Sequence, residues 1–451
     1  MNDFVSQTAM RTASRGRGHS ARHAALACMA ALAVALGVGR FAFTPLLPLM
    51  LHGGALDLRQ GGWLASLNYA GYFVGAFSCA ALRVAPAKMV RMSLVATVLL
   101  TVAMGVSQQF WVWAVVRFVG GAVSAWAFVF ASQWGLRRLA ELGANEWSGV
   151  IYTGPGVGII GTGLFVGVAG GLGAAAGWVG FGIVSAVVVA LVWTVFGDGA
   201  ARASAARPAV TDATNGPPSS SRQTVAATSG ETGDAGTTGT AQPTAQTIPG
   251  GGSVPRSDAR RADALWLVLL YGIPGFGYII TATFLPVIAR HALPGSAWPD
   301  LFWPMFGAAL VVGALLAARL PLHWDNRSLL AASYVLQAGG IALGIIWPTA
   351  PGFSLGSVLI GLPFTAITLF AMREARLLRG EHAAGLMGYA TAAYGIGQIA
   401  GPLVAAPLAA STGSFSPSLW LAALALMAGA VGLAWRLAVS PRVTALPRAT
   451  R

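Results

Sequence analysis

Gly37-Val38-Gly39-Arg40, followed by Leu47-Pro48, recurs as Gly275-Phe276-Gly277-Tyr278, followed by Leu285-Pro286, at an offset of 238 residues (277 − 39). Gly149, Gly156 and Gly158 return in the same way as Gly388, Gly395 and Gly397, at 239 (388 − 149). Segments that repeat in order and in register over such a distance imply two halves built on one plan. Both halves are apolar: hydrophobic residues make up 55% of the chain and charged residues 9%, against about 25% charged in soluble domains. The plan is therefore a membrane one. A duplicated polytopic bundle is the arrangement in which secondary carriers place a solute site between their halves.

Apolar runs of roughly 20 residues, the length that crosses a bilayer core, fall at about 24–50, 61–82, 89–107, 110–136, 147–170 and 175–196 in the first half. Six more fall at about 263–289, 299–319, 327–347, 352–373, 383–408 and 416–438. In lipid each run must satisfy its own backbone, so each is expected to be a helix. The expected fold is an all-α polytopic membrane protein of twelve transmembrane helices in two six-helix pseudo-repeats. The divisions expected are a basic arm at 1–22, an N-terminal bundle at 23–198, a linker at 199–262, a C-terminal bundle at 263–440 and a tail at 441–451. The linker is rich in Ala, Thr, Ser, Gly and Pro and has no apolar periodicity, the composition of a flexible segment. The first apolar run follows Arg11, Arg15, Arg17 and Arg22 and resembles a leader peptide. It continues through Arg40, Pro45 and Pro48, too far for a leader, and reads as a retained first helix.

The net charge of +14 comes from short clusters between apolar runs, which argues against a nucleic-acid surface. Arg83, Lys88 and Arg91, then Arg137 and Arg138, the linker arginines, Arg319 and Arg327, and Arg373, Arg376 and Arg379 occupy alternate connections, whereas the opposite connections hold only Arg59 and Arg290. The positive-inside rule then puts both termini and the linker in the cytoplasm. Cys28 and Cys79 both lie in apolar runs, so a disulfide framework is not expected.

Local sequence sharpens this reading. Gly37 to Met50 resembles the first-helix signature of the YbfB/YjiJ-type family of bacterial facilitators, within the major facilitator superfamily. Arg117-Phe118-Val119-Gly120-Gly121 resembles that superfamily's fourth-helix arginine–glycine motif, and Gly154-Pro155-Gly156-Val157-Gly158 its antiporter motif. After the second run the superfamily places glycine, aspartate and basic residues, whereas Leu82 to Arg91 keeps the basic residues and lacks the acid. The resemblance implies a major-facilitator fold, alternating access and residence in a bacterial inner membrane as a monomer.

An ionisable side chain inside a span costs several kcal/mol unless partnered, and so marks function by default. Arg40 and Arg117 are the two clear cases; Glu146, Asp263 and Glu374 sit near run ends, where water is expected to reach them. Two guanidinium groups without a carboxylate leave a cationic interior, suited to a carboxylate or phosphate. The other reading is that each arginine binds backbone carbonyls freed by Pro45 and Pro48. Arg117 leans to structural or gating duty. Arg40 stands evenly between the two, and its repeat counterpart is Tyr278. Further substrate-binding candidates are Asn68, Tyr72, Gln133 and Tyr152 in the first half and Trp303, Gln337, Tyr394 and Gln398 in the second. Gly120, Gly154, Pro155, Gly156, Gly158, Gly395 and Gly397, together with Gly71, Gly75 and Gly401-Pro402, read as close-packing or hinge positions. Nothing calls for a metal or cofactor.

The expectation is a carrier for a small organic solute, anionic by virtue of Arg40. Efflux of lipophilic drugs is the alternative. A transporter-like sensor is a third reading, distinguished by falling silent when the linker is removed. A membrane enzyme would need a catalytic constellation that the spans do not show.

Overall fold

The computed structural model describes residues 18–197, 256–321, 323–380 and 383–439, with the side chains of 256–260 excepted. The expected arm, linker and tail fall largely outside these residues. Among the described residues there are helices and connections but no strand.

Among the described residues twelve helical rods follow one another. They are α1 (Gly18–His52), α2 (Leu58–Ser78), α3 (Pro86–Val106), α4 (Phe110–Glu141), α5 (Gly154–Ala169), α6 (Gly173–Val192), α7 (Arg256–Ala292), α8 (Pro299–Arg319), α9 (Asn326–Ile346), α10 (Ala350–Arg379), α11 (Ala383–Thr412) and α12 (Ser416–Val439). Ten stretches pass a length and hydropathy test for crossing a membrane. One of these, Asn145–Val192, holds both α5 and α6. The rod that fails is α2, which carries Arg59, Gln60, Asn68 and two tyrosines yet has a spanning length of 21 residues. Short links make successive rods antiparallel within each half, and the contacts of Thr44 with Ala282 and of Ser66 with Ile399 align the two halves end for end. Residues 18 and 439 therefore share one end of the bundle, here the terminal face; the other end is the distal face.

The rods α1, α4, α7 and α10 run past their apolar runs at the terminal face. There polar residues continue the helix. Large apolar side chains on the outside, such as Leu99, Trp111, Leu191, Leu424 and Val431, are mostly exposed. A surface of this kind is stable against lipid tails and not against water.

Two rods are broken, and both breaks bear on the site. α1 passes through a π-helical turn at Ala33–Val38, then turns until helix resumes at Phe43. Thr44 N–H bonds to the Phe41 carbonyl, while Pro45 has no N–H to give. The Arg40 carbonyl thus loses its usual helical partner. The second break is in α10, between Gly361 and Phe364, at Leu362-Pro363. By contrast, α11 continues as one helix through Gly401-Pro402 and Pro407.

The repeat is visible in three dimensions. Thr44 donates to the Ala282 carbonyl at 3.0 Å, and these residues are 238 apart. A contact between equivalent positions of two repeats lies on the axis relating them. The halves also meet along two seams, α2 with α11 and α5 with α8. At the second seam a Cβ on Gly156 would sit 2.8 Å from the Gly307 carbonyl oxygen, so the two backbones touch. A similar approach within the first half joins α1 to α5: a Cβ on Gly37 would lie 2.3 Å from the Gly158 Cα.

One expectation needs correction. Glu374 lies close to a span end but is buried, at 2% exposure. It accepts from Arg327 Nε at 3.0 Å, and Arg327 Nη2 is 3.6 Å from Asp263, which in turn pairs with Arg436. The second half thus holds a buried ionic cluster joining α7, α9, α10 and α12 at the terminal end. Helix face, not depth along the helix, decides whether water reaches Glu374. Arg40 and Arg117 are therefore not the only buried cations: Arg327 and Arg436 are buried as well.

Candidate functional site

Arg40 follows the π-turn of α1 and points into the contact between the halves. It is buried, at 6% exposure. Its Nη2 donates to Gln398 Oε1 on α11 at 2.9 Å. Its guanidinium lies 4.2 Å from the Tyr72 ring centre, 5.0 Å from Tyr69 and 5.2 Å from Phe41, distances at which a cation is attracted to a ring face. Nε has no hydrogen-bond partner. Among the described residues, Arg40 makes no ion pair.

Gln398 then donates through Nε2 to the Tyr278 hydroxyl on α7. Arg40 and Tyr278 are equivalent in the two repeats, so one amide side chain bridges a charge in the first half and a ring in the second. Behind Tyr278, Tyr394 stacks at 6.0 Å and Phe364 packs edge-on at 5.0 Å. Tyr394 stacks again on Tyr271 at 4.9 Å, and the Tyr271 hydroxyl donates to Thr368. Tyr72, Tyr394 and Phe364 are half-buried, and Thr368 is exposed.

Arg117 on α4 stands behind this layer. Its terminal nitrogens donate to the orphaned Arg40 carbonyl at 3.4 and 3.3 Å and its Nε to the Leu64 carbonyl at 3.4 Å, with Phe43 stacked at 4.6 Å. All the hydrogen-bond partners it has here are backbone. The fork holds the broken part of α1 against α2 and α4 and thereby sets where Arg40 points.

The structure thus brings together Arg40, Tyr72, Tyr278, Tyr394 and Gln398. Asn68 lies one layer back and donates to the Arg117 carbonyl at 2.9 Å. Trp303 packs against Phe41 at 6.2 Å and stacks on Phe306, with its indole N–H unpartnered. Three candidates stand apart. Gln133 is exposed on α4, Tyr152 sits at the terminal end of α5 beside Phe128, and Gln337 is buried between α9 and α10, donating to the Ile360 carbonyl. Phe41 and Phe364, which sequence reasoning passed over, are part of the cluster. A hint was available for Phe364, which directly follows the Leu362-Pro363 break.

The glycines are distributed along contacts. Gly154 meets the Met29 carbonyl of α1, Gly395 the Phe73 ring of α2, and Gly397 the Gly272 carbonyl of α7. Gly71 and Gly75 press α2 onto the backbone of Phe118 and Ala122 in α4. Gly120 has looser surroundings, beside Asn68 and Gly39, and Pro155 opens α5 just after a turn at Tyr152-Thr153.

Three further side-chain hydrogen bonds between the halves are present among the described residues: Thr44 to the Ala282 carbonyl, Ser66 to the Ile399 carbonyl at 2.8 Å, and Tyr69 with Thr283 at 3.1 Å. All three lie on the distal side of the Arg40–Gln398 bond.

The sequence profile of a family described as "Uncharacterised MFS-type transporter YbfB" matches residues 32–226 and 242–433. A chloramphenicol resistance protein from Streptomyces lividans is 31% identical over 176 residues, which are 37% of this chain and 43% of that protein. The match spans less than half of that relative. A crystal structure of the nucleoside transporter NupG superposes with a TM-score of 0.66 at 13% identity, covering 93% of this chain and 100% of that one. At that identity the likeness is one of fold.

Proposed function

The chain belongs to the YbfB-type family of major-facilitator transporters, and from that premise we propose that it carries a small organic anion across the bacterial inner membrane, with Arg40 as the anchor of the solute site. A membrane-spanning transporter is what the family and the fold establish. The anion is supported by one observation above the rest. A buried guanidinium sits where the halves meet, with Nε unpartnered and, among the described residues, no carboxylate bonded to it. Such a group gains most from a ligand that brings the missing charge.

The Lys and Arg pattern supports a cytoplasmic terminal face. In that orientation the three distal hydrogen bonds close the periplasmic side. Solute then approaches from the cytoplasm, past the half-exposed Tyr72, Tyr394 and Phe364. The other half of the cycle opens the distal contacts and closes the terminal ones. Arg117 acts through the backbone of α1 as a positioning group.

A second reading, efflux of a lipophilic drug, draws support from the resemblance to a chloramphenicol resistance protein and from Gly154-Pro155. It leaves the Arg40 charge uncompensated.

Thermal unfolding of the detergent-purified protein across small carboxylates, neutral sugars, chloramphenicol and lipophilic cations separates the readings. A ligand that binds only the folded state stabilises it by about 2.7 kcal/mol at a hundred times its Kd. The expected result is stabilisation by carboxylates that disappears in Arg40→Ala and Arg40→Gln, with carboxylate flux lost in both. Equal stabilisation of wild type and both variants removes Arg40 from the site. A response to chloramphenicol or lipophilic cations alone moves drug efflux to first place.

A further inference from the structure

We propose that the anion is an aromatic carboxylate, held through its carboxylate by Arg40 and through its ring by Tyr394 and Phe364. This rests on the reading of Arg40 as the anchor and adds the nature of the rest of the ligand.

The argument starts from the two sides of the axis. Position for position, the first half offers a guanidinium at Arg40 and the second offers a ring at Tyr278, and Gln398 bonds to both. The distance between charge and ring is thus set by one amide group. A ligand spanning the two needs an anionic end and, close behind it, a surface that a ring can pack on.

The second-half wall is specific about that surface. Tyr278 and Tyr271 are fully buried, and their hydroxyls are already bonded to Gln398 and Thr368. Tyr394 and Phe364 are less deeply buried than these two. Tyr394 already takes part in near-parallel stacks, at 22° and 24° to its two neighbours, whereas Phe364 stands at 83° to Tyr278. Tyr394 lies between Tyr271 and Tyr278 in that stack, so an incoming ring meets Tyr394 and Phe364 at their edges. Offset-stacked and edge-to-face contacts are the two favoured aromatic geometries.

A sugar acid or hydroxy acid would require donors and acceptors for its hydroxyls, and the hydroxyls of Tyr271 and Tyr278 are committed elsewhere. A saturated acid would touch these rings without the edge-to-face attraction. An aryl carboxylate gains it, and its flat carboxylate matches the planar fork of arginine.

The test compares benzoate with cyclohexanecarboxylate, which share charge and ring size but differ in π surface. Binding to the purified full-length protein is titrated by thermal shift and by calorimetry. Wild type is expected to bind benzoate roughly two- to ten-fold more tightly, the range that one or two aromatic contacts supply. Tyr394→Leu and, separately, Phe364→Leu are expected to weaken benzoate binding more than cyclohexanecarboxylate binding and so to shrink that ratio toward one. Two variants guard against one of them failing to fold. Arg40→Ala is expected to lose both ligands. Equal binding of the two acids by wild type, both through Arg40, overturns the aromatic inference and leaves the anion reading standing. A benzoate preference that survives both leucine variants overturns it as well. If neither acid binds, or both bind without Arg40, the anion reading falls and the inference falls with it.

Discussion

Replacing Gly37 with alanine tests whether the backbone contact between α1 and α5 positions Arg40. The added Cβ would lie 2.3 Å from the Gly158 Cα and 2.8 Å from its carbonyl carbon, whereas carbon atoms rest about 3.5–4.0 Å apart. Neither obstacle is a side chain that could rotate away, so the helices must part by about 1 Å. Forced overpacking of this kind costs typically 1–3 kcal/mol. Arg40 lies three residues further along α1, and a 1 Å displacement would stretch its 2.9 Å bond to Gln398 beyond hydrogen-bonding range. Denaturation in detergent should therefore show a stability loss of about 1–3 kcal/mol, accompanied by weaker carboxylate binding. Gly158→Ala meets the same contact from the other side, at 2.5 Å from the Gly37 Cα. The double variant should thus cost clearly less than the sum of the single ones. Gly161→Ala is the control: it has open space around it, and alanine favours helix over glycine by about 1 kcal/mol. If Gly37→Ala were as stable as Gly161→Ala and bound ligand normally, the idea that this contact aims Arg40 would be refuted.

Two further outcomes are expected. Arg327→Met leaves Glu374 buried without its 3.0 Å partner, a change that costs about 3–5 kcal/mol for a buried pair; unfolding should show it, and an unchanged melting temperature would mean that water reaches Glu374 after all. Ser14→Cys should react with membrane-impermeant maleimide only after the cells are opened; labelling of intact spheroplasts would reverse the topology.

The architecture was legible because a bilayer imposes a fixed run length, and the chain obeys it twice over. α2 shows how far that rule reaches: its polar residues lower its hydropathy below that of the other rods, since Ser66, Asn68 and Tyr69 face protein and not lipid. The pairing of Arg40 with Tyr278 could be read from the repeat offset alone. Gln398 could be named as a polar residue in a span, but nothing in the sequence separated it from Gln133, which the fold leaves exposed. The ionic cluster of Asp263, Arg327, Glu374 and Arg436 was not legible, because its members come from four spans far apart in the chain. The sequence places each near a span end without saying which helix faces turn toward one another.

The seams between the halves bear on how much energy the transport cycle needs. Where α5 meets α8 the backbones of Gly156 and Gly307 touch, and the side chains of Ile159, Leu310 and Val311 close around that contact. These few apolar side chains slide with the seam when the halves tilt. On the distal side three hydrogen bonds, at Thr44, Ser66 and Tyr69, also tie the halves together and form a polar latch in the proposed cycle. Such bonds between helices in a membrane average about 0.6 kcal/mol each, so the latch is worth about 2 kcal/mol, a population ratio of roughly thirty to one. A single small solute that binds one state about a thousand-fold better than the other is enough to reverse that ratio. The molecule is thus latched weakly enough that its cargo can serve as its key.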